Sequence, residues 1–245
     1  MKYAEHLKNE IIDKINKGGN KKSISRKYNI PRSTIRYWHE TKDIKKEGKI
    51  EISNIDPISY SYILGVYLGD GHIDKMKRTY RLRIALDSRQ DLVIEECAKN
   101  LEILFPSNKI KIDKIKNTNS VIIKVYSSCL PTIFPQYGKG AKHNRNIILT
   151  EEQEKIIIND KLMLGLFHTD GSFFVVNGKY PRYQFTNKSK QILDIFGKCL
   201  IYYGITPKIR KRKNGVYDIQ IQNRKDFDKL YDVLGEKYNM KKWIK

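Results

Sequence analysis

Hydrophobic positions follow two regimes along the 245-residue chain. In the first forty residues, Ile11, Ile12 and Ile15 recur at helical spacing, and Gly18-Gly19-Asn20 stops the run. A second short helix, about Lys21 to Tyr28, offers Ile24 and Tyr28, and Asn29-Ile30-Pro31 then makes a turn. Pro31 presets a third helix, from Arg32 to about Thr41, whose inner face is Ile35 and Trp38. The charged stretch 42–49 reads as a linker.

From Asp56 the pattern changes and repeats itself. Asp56-Pro57 opens an apolar helix, and alternating segments follow. Between Tyr80 and Leu86, Leu82, Ile84 and Leu86 share one face, and Arg81, Arg83 and Ala85 the other. Between Arg182 and Thr186, Tyr183 and Phe185 point inward, and Arg182, Gln184 and Thr186 outward. Lys109-Ile110-Lys111-Ile112-Asp113 matches Lys208-Ile209-Arg210-Lys211-Arg212. Ile122, Lys124 and Tyr126 match Asp218, Gln220 and Gln222. Period two with one apolar face predicts half-buried antiparallel sheets. The polar loop 134–147 and a capping box at Thr150-Glu151-Glu152-Gln153 join the two copies by ordered chain. The expected organisation is a helical unit at 1–45, a linker at 46–55, and two similar halves at 56–147 and 148–245.

Two nine-residue stretches sharpen the repeat: Ile63-Leu64-Gly65-Val66-Tyr67-Leu68-Gly69-Asp70-Gly71 and Met163-Leu164-Gly165-Leu166-Phe167-His168-Thr169-Asp170-Gly171. Their aspartates stand 100 residues apart. An ordinary core helix needs neither a mid-helix Gly, which costs roughly 1 kcal/mol against Ala, nor an acid at its C-terminus, where the dipole disfavours negative charge. Ordinary helices ending in Asp-Gly turns would use the glycine as a left-handed cap. Two helices pressed together through Gly65 and Gly165 would instead carry Asp70 and Asp170 to one point. Neighbouring carboxylates of that kind are what a divalent cation stabilises.

Charge narrows the partner. Lys and Arg number 48 against 27 Asp and Glu, a net charge of +21 spread along the chain. Such an excess suits a surface that neutralises many phosphates. No apolar signal core follows Met1, and no apolar run is long enough to anchor in a membrane. An intracellular, DNA-associated protein with no membrane partner is expected. Cys97, Cys129 and Cys199 are odd in number and lack paired spacing, which disfavours structural zinc and points to buried thiols.

The paired motifs resemble the LAGLIDADG family of homing endonucleases in its single-chain form, over about residues 56 to 245. The resemblance implies an α+β fold, a pseudo-twofold αββαββα repeat with saddle-shaped antiparallel sheets. It further implies cleavage of both DNA strands across the minor groove by a monomer dependent on Mg²⁺, for which Mn²⁺ substitutes. One acid comes from each motif, here Asp70 and Asp170, with the backbone carbonyls of Gly69 and Thr169 as further oxygen ligands. Members also place a basic residue near each site. Arg145 and Lys242 stand at comparable distances after their aspartates, with Lys142 and Lys241 as substitutes. An Arg steadies charge but does not act as a base at neutral pH. His72 and His168 flank the aspartates, where packing or hydrogen bonding is the expected role.

The outward faces of the sheets carry residue types able to contact base edges. Candidate DNA-binding residues are Arg81, Arg83, Lys109, Lys111 and Lys124 in the first half, and Arg182, Gln184, Lys208, Arg210, Arg212, Gln220 and Gln222 in the second. The first forty residues resemble a helix-turn-helix, an all-α unit presenting Arg32, Ser33, Thr34, Arg36 and Tyr37 to the major groove. The leading expectation is a site-specific double-strand endonuclease acting on a long asymmetric site. A catalytically retired DNA-binding regulator and an RNA-binding intron maturase would use the same scaffold.

Overall fold

A computed structural model describes residues 3–40 and 51–234. The chain divides into two compact units, residues 1–48 and 49–245, each with its own hydrophobic core. Residues 46–50 of the segment expected as a linker lie outside the described residues; the remainder includes a 3₁₀ turn at Ile52–Asn54.

The first unit is three helices, α1 (Glu5–Asn16), α2 (Lys21–Tyr28) and α3 (Arg32–Glu40). Ile11, Ile15, Ile24, Ile30, Ile35 and Trp38 fill its core. Asn20 caps α2 by accepting the Lys22 N–H at 2.8 Å. Asn29 ends it in the left-handed region at φ 49°, a conformation asparagine tolerates. Three residues therefore suffice to turn the chain into α3.

The second unit runs α4 (Pro57–Asp70), β1 (Gly71–Lys75), β2 (Tyr80–Asp87), α5 (Asp91–Leu104), β3 (Lys111–Lys114), β4 (Ser120–Ser127) and α6 (Leu130–Ile133). After α7 (Glu151–Ile156) the order recurs as α8 (Asn159–Asp170), β5 (Gly171–Val176), β6 (Tyr180–Asn187), α9 (Lys190–Tyr202), β7 (Ile209–Lys211), β8 (Tyr217–Ile221) and α10 (Arg224–Leu234). The strands form two four-stranded antiparallel sheets, ordered β1-β2-β4-β3 and β5-β6-β8-β7. This is the expected αββαββα repeat.

The alternation read along the strands sets which face is buried. Leu82 and Ile84 pair across β2 and β4 with Val125 and Ile123, and all four are sealed from solvent. Tyr183 and Phe185 pair with Ile221 and Ile219 in the second sheet. Asp56 caps α4 through a 2.7 Å bond from the Ser59 N–H, with Pro57 in the first turn. The Thr150–Gln153 capping box opens α7. Gln153, wholly buried, also donates to the Tyr60 hydroxyl at 2.6 Å, which donates to the Ile133 carbonyl at 2.8 Å. Gln136 donates to Gln153 at 2.6 Å and to the Ile148 carbonyl at 2.7 Å. A buried polar network therefore binds the connecting chain to the first motif helix, and each member satisfies another.

Candidate active site

The two motif helices pack against each other through their backbones. A Cβ on Gly65 would stand 2.7 Å from the Leu166 nitrogen and against the Leu162 carbonyl. On Gly165 it would strike the Tyr62 carbonyl and lie 3.1 Å from the Gly65 Cα. Only glycine at both positions lets α4 and α8 come this close. Gly71 and Gly171 are not left-handed caps: their φ angles are −81° and −85°. They are required by space, because a Cβ on either would meet backbone four residues earlier, 2.9 Å from the Tyr67 carbonyl or 2.5 Å from that of Phe167. Each helix thus passes straight into its strand, and each aspartate is the last helical residue.

Asp70 and Asp170 end these paired helices, and Asp170 reaches the chain beside Asp70. A Cβ on Gly69 would lie 3.1 Å from Asp170 Oδ2 and collide with the Thr169 hydroxyl, so Asp170 and Thr169 abut the end of α4. Asp70 is exposed, whereas Asp170 is half-buried and accepts a 2.7 Å bond from the Asn187 amide. Thr169 turns its hydroxyl back to the Leu166 carbonyl at 2.8 Å. Lys142 reaches the same place from the connecting chain. Its ammonium donates to the carbonyls of Tyr67 (2.6 Å), Leu68 (2.8 Å) and Gly69, and lies 5.5 Å from the Tyr67 ring centroid. It thereby caps the negative end of the α4 dipole. Burial pushes the Lys142 pKa down to about 8, and the Asp170 and Asp70 carboxylates oppose that shift. The cleft here holds about 350 Å³ and is lined in part by Gly69, Lys142, His143, Asp170, Asn187 and Lys188.

Arg145 and Lys142, both candidates for the basic residue of the first half, take different places. Arg145 turns away to the loop carbonyls of Gln136 (3.1 Å) and Gly138 (2.8 Å), and its guanidinium neighbours the Tyr67 phenol. Lys142, the substitute, occupies the helix end. A lysine's compact ammonium with three donors can serve three converging carbonyls, a geometry the planar guanidinium fork does not match. Lys241 and Lys242 lie outside the described residues. Asn187 stands one residue past the alternating stretch Arg182 to Thr186. Two residues beyond Phe185 it falls on the inward face, and a polar residue there was the available signal.

His168 belongs to the helix interface, its Nδ1 2.9 Å from the Tyr62 hydroxyl. His72 lies on β1 with Nε2 3.2 Å from Asp74. Among the described residues no group of three or more His, Cys, Asp or Glu gathers to hold a metal. The donors available for a cation are the two carboxylates and backbone oxygens. These are all hard oxygen donors, a set that fits a divalent ion completed by water and phosphate.

The sheet faces carry the expected basic and amide side chains. Arg81 and Arg83 are half-buried, Lys124 pairs with Asp113 at 2.7 Å, and Lys111 is exposed on β3. Lys109 precedes β3, while Lys208 and Arg212 flank β7. Gln222 donates to Gln220 at 2.9 Å, Gln220 to Gln184 at 3.1 Å, and Gln184 to Thr186 at 2.8 Å, an amide chain across two strands. Arg182 stays half-buried beside it. On α3, Arg32, Ser33, Arg36 and Tyr37 are exposed and Thr34 is half-buried.

Known proteins share this architecture. Residues 159–235 match the LAGLIDADG-like domain, and residues 7–45 match the CENP-B N-terminal DNA-binding domain. The uncharacterized protein MJ0314 of Methanocaldococcus jannaschii is 27% identical over 189 residues, 75% of this chain and 68% of that protein. The crystal structure of I-DmoI in complex with DNA and Mn superposes with a TM-score of 0.52 at 22% identity, covering 75% of this chain and 99% of that one. The homing endonuclease I-WcaI, bound to its DNA recognition sequence, gives 0.52 at 19% identity over 79% of this chain and 85% of that one. No described helix is long and apolar enough to cross a membrane. The match over residues 159–235 and the superposed structures together show a LAGLIDADG-like fold over about three quarters of this chain.

Proposed function

We propose that this chain is a site-specific double-strand DNA endonuclease that hydrolyses phosphodiester bonds as a monomer on a long asymmetric site. The observation that carries the reading is the placement of Asp70 and Asp170 at the ends of two helices locked through Gly65 and Gly165, with the Asp170 carboxylate against Gly69. Nothing in packing calls for acids at helix C-termini, where the dipole disfavours them. A divalent ion, Mg²⁺ with Mn²⁺ as a substitute, would be held by Asp70, Asp170 and the carbonyls of Gly69 and Thr169. When bound it would lower the pKa of the attacking water and offset charge on the phosphoryl oxygens. Lys142 holds a positive charge beside the scissile phosphate, and Asn187 fixes the Asp170 carboxylate. Both aspartates are intact, which favours cleavage over a retired DNA-binding regulator. Structures of I-DmoI with DNA and Mn, and with DNA and Ca, support the same partner and class of ion.

The sheet faces supply two DNA-reading ribbons, one per half. The N-terminal unit adds contacts outside the cut site through Arg32, Ser33, Thr34, Arg36 and Tyr37. The test is incubation of the full chain with a library of duplex sites and Mg²⁺, followed by sequencing of the ends produced. Cleavage at one related set of sequences is the expected result. Retention of DNA without new ends would assign the chain to the retired regulators.

A further inference from the structure

The outer face of each sheet holds an acid where a surface that only tracks phosphates has no use for one. On the first sheet Asp74 of β1 stands directly opposite Arg81 of β2. It accepts from Arg83 through Nε (2.7 Å) and Nη2 (3.2 Å), and from Arg81 through Nε (3.1 Å) and Nη2 (2.8 Å). His72 approaches the same carboxylate at 3.2 Å. On the second sheet Asp218 of β8, 2% exposed, accepts from Arg210 Nη2 at 2.9 Å and Arg212 Nε at 3.2 Å. A carboxylate facing DNA repels phosphate, so these acids lower affinity unless they serve another purpose.

Guanidinium geometry supplies that purpose. The side edge of arginine, Nε with Nη2, is the one Asp74 engages on Arg83, with one oxygen for each nitrogen. The end edge, Nη1 with Nη2, has the spacing that matches the O6 and N7 of guanine in the major groove. Fixing the side edge freezes a rotamer-rich side chain before DNA arrives and leaves it aimed end-on. Arg81 completes the neutralisation of Asp74 and is itself tied to Tyr126. Asp218 holds its two arginines by single bonds, a looser form of the same device.

We propose that Asp74 is a specificity-determining positioning residue that presents Arg83 to a guanine in the first half-site, and that Asp218 serves Arg210 and Arg212 in the second. The inference rests on the reading of these sheets as the DNA face. It predicts an effect opposite in sign to ordinary charge removal on a recognition surface, where losing an important side chain weakens binding.

The experiment selects randomised DNA duplexes by binding to the full chain without divalent metal, comparing the parent with Asp74→Asn, Asp218→Asn and Arg83→Lys. In Asp74→Asn, total affinity should hold or rise, because a negative charge has gone. Preference for guanine at one or two base pairs of one half-site should fall about tenfold, with the other half-site unchanged. Arg83→Lys keeps the charge but not the fork, and should relax the same base pairs even if Asp74→Asn folds poorly. Asp218→Asn should move preferences only in the other half. An Asp74→Asn profile identical to the parent's would overturn the proposal, as would a uniform loss of affinity or a change at base pairs different from those moved by Arg83→Lys. A parent that selects no sequence would overturn the endonuclease reading itself, which separates the two failures.

Discussion

The two halves of the core agree where backbone touches backbone and diverge where side chains are free to differ. Gly65 and Gly165 face one another across the helix contact, and Gly71 and Gly171 make the same abrupt passage from helix to strand. Beside them the resemblance ends. Gly69 opposes Thr169, and Asp70 is exposed whereas Asp170 is half-buried. Register shows a further difference. Gly71 pairs with Ile84 and Gly171 with Phe185, so the position two residues on is Leu86 in the first half and Asn187 in the second. The amide that holds Asp170 therefore has an apolar counterpart in the other half. Symmetry is imposed by close backbone approach and lapses one side chain away from it.

The glycine contact is where this comparison breaks most visibly. Gly165→Ala places a methyl against the Tyr62 carbonyl, which has no flexible end to move aside. We expect a loss of about 3 kcal/mol or more, seen as a large drop in Tm, together with loss of cleavage. Gly69→Ala, which meets the Thr169 side chain, should be much better tolerated if Thr169 is replaced by glycine at the same time.

Next in size is the basic residue. Lys142→Met should slow cleavage by about 10²–10³-fold, since it removes the charge at the helix end, while DNA affinity falls little. Arg145→Lys should stay near the parental rate, because that guanidinium serves loop carbonyls. Equal losses in the two variants, measured by single-turnover cleavage, would reverse this assignment.

These residues also show what the chain made legible. The motif helices, the capping residues Asp56 and Thr150, and the strand faces could be read because each follows from periodicity or a local hydrogen bond. The choice between Lys142 and Arg145 could not, for both lie in an irregular loop whose path is set by tertiary contacts such as the buried Gln136–Gln153 pair. Asn187 lies a single residue past the alternation, on its inward face. The partners of Asp74 and Asp218 were hidden for another reason: an acid among basic residues reads as a solvated charge until the register shows which arginines it holds.

Smaller effects should come from the side chains that distinguish the halves. Asn187→Leu makes the second half resemble the first, removes the amide bond to the Asp170 carboxylate and should slow cleavage by about tenfold. The reciprocal Leu86→Asn is expected to cost stability by about 1–3 kcal/mol through a buried polar group, read in a urea titration. Removal of residues 1–45 should shorten the footprint on DNA and weaken binding, yet leave cleavage at high protein concentration. A footprint of unchanged length would return the helical unit to a structural role.

The paired acids carry the central claim, and one measurement addresses them without interference from folding or affinity. The Asp70→Asn/Asp170→Asn double variant and the parent are compared on a selected duplex in Mg²⁺, with binding and strand cleavage followed in the same samples. DNA binding close to the parent's and no cleavage of either strand are expected. Cleavage of both strands by the double variant at the parental rate would contradict that claim.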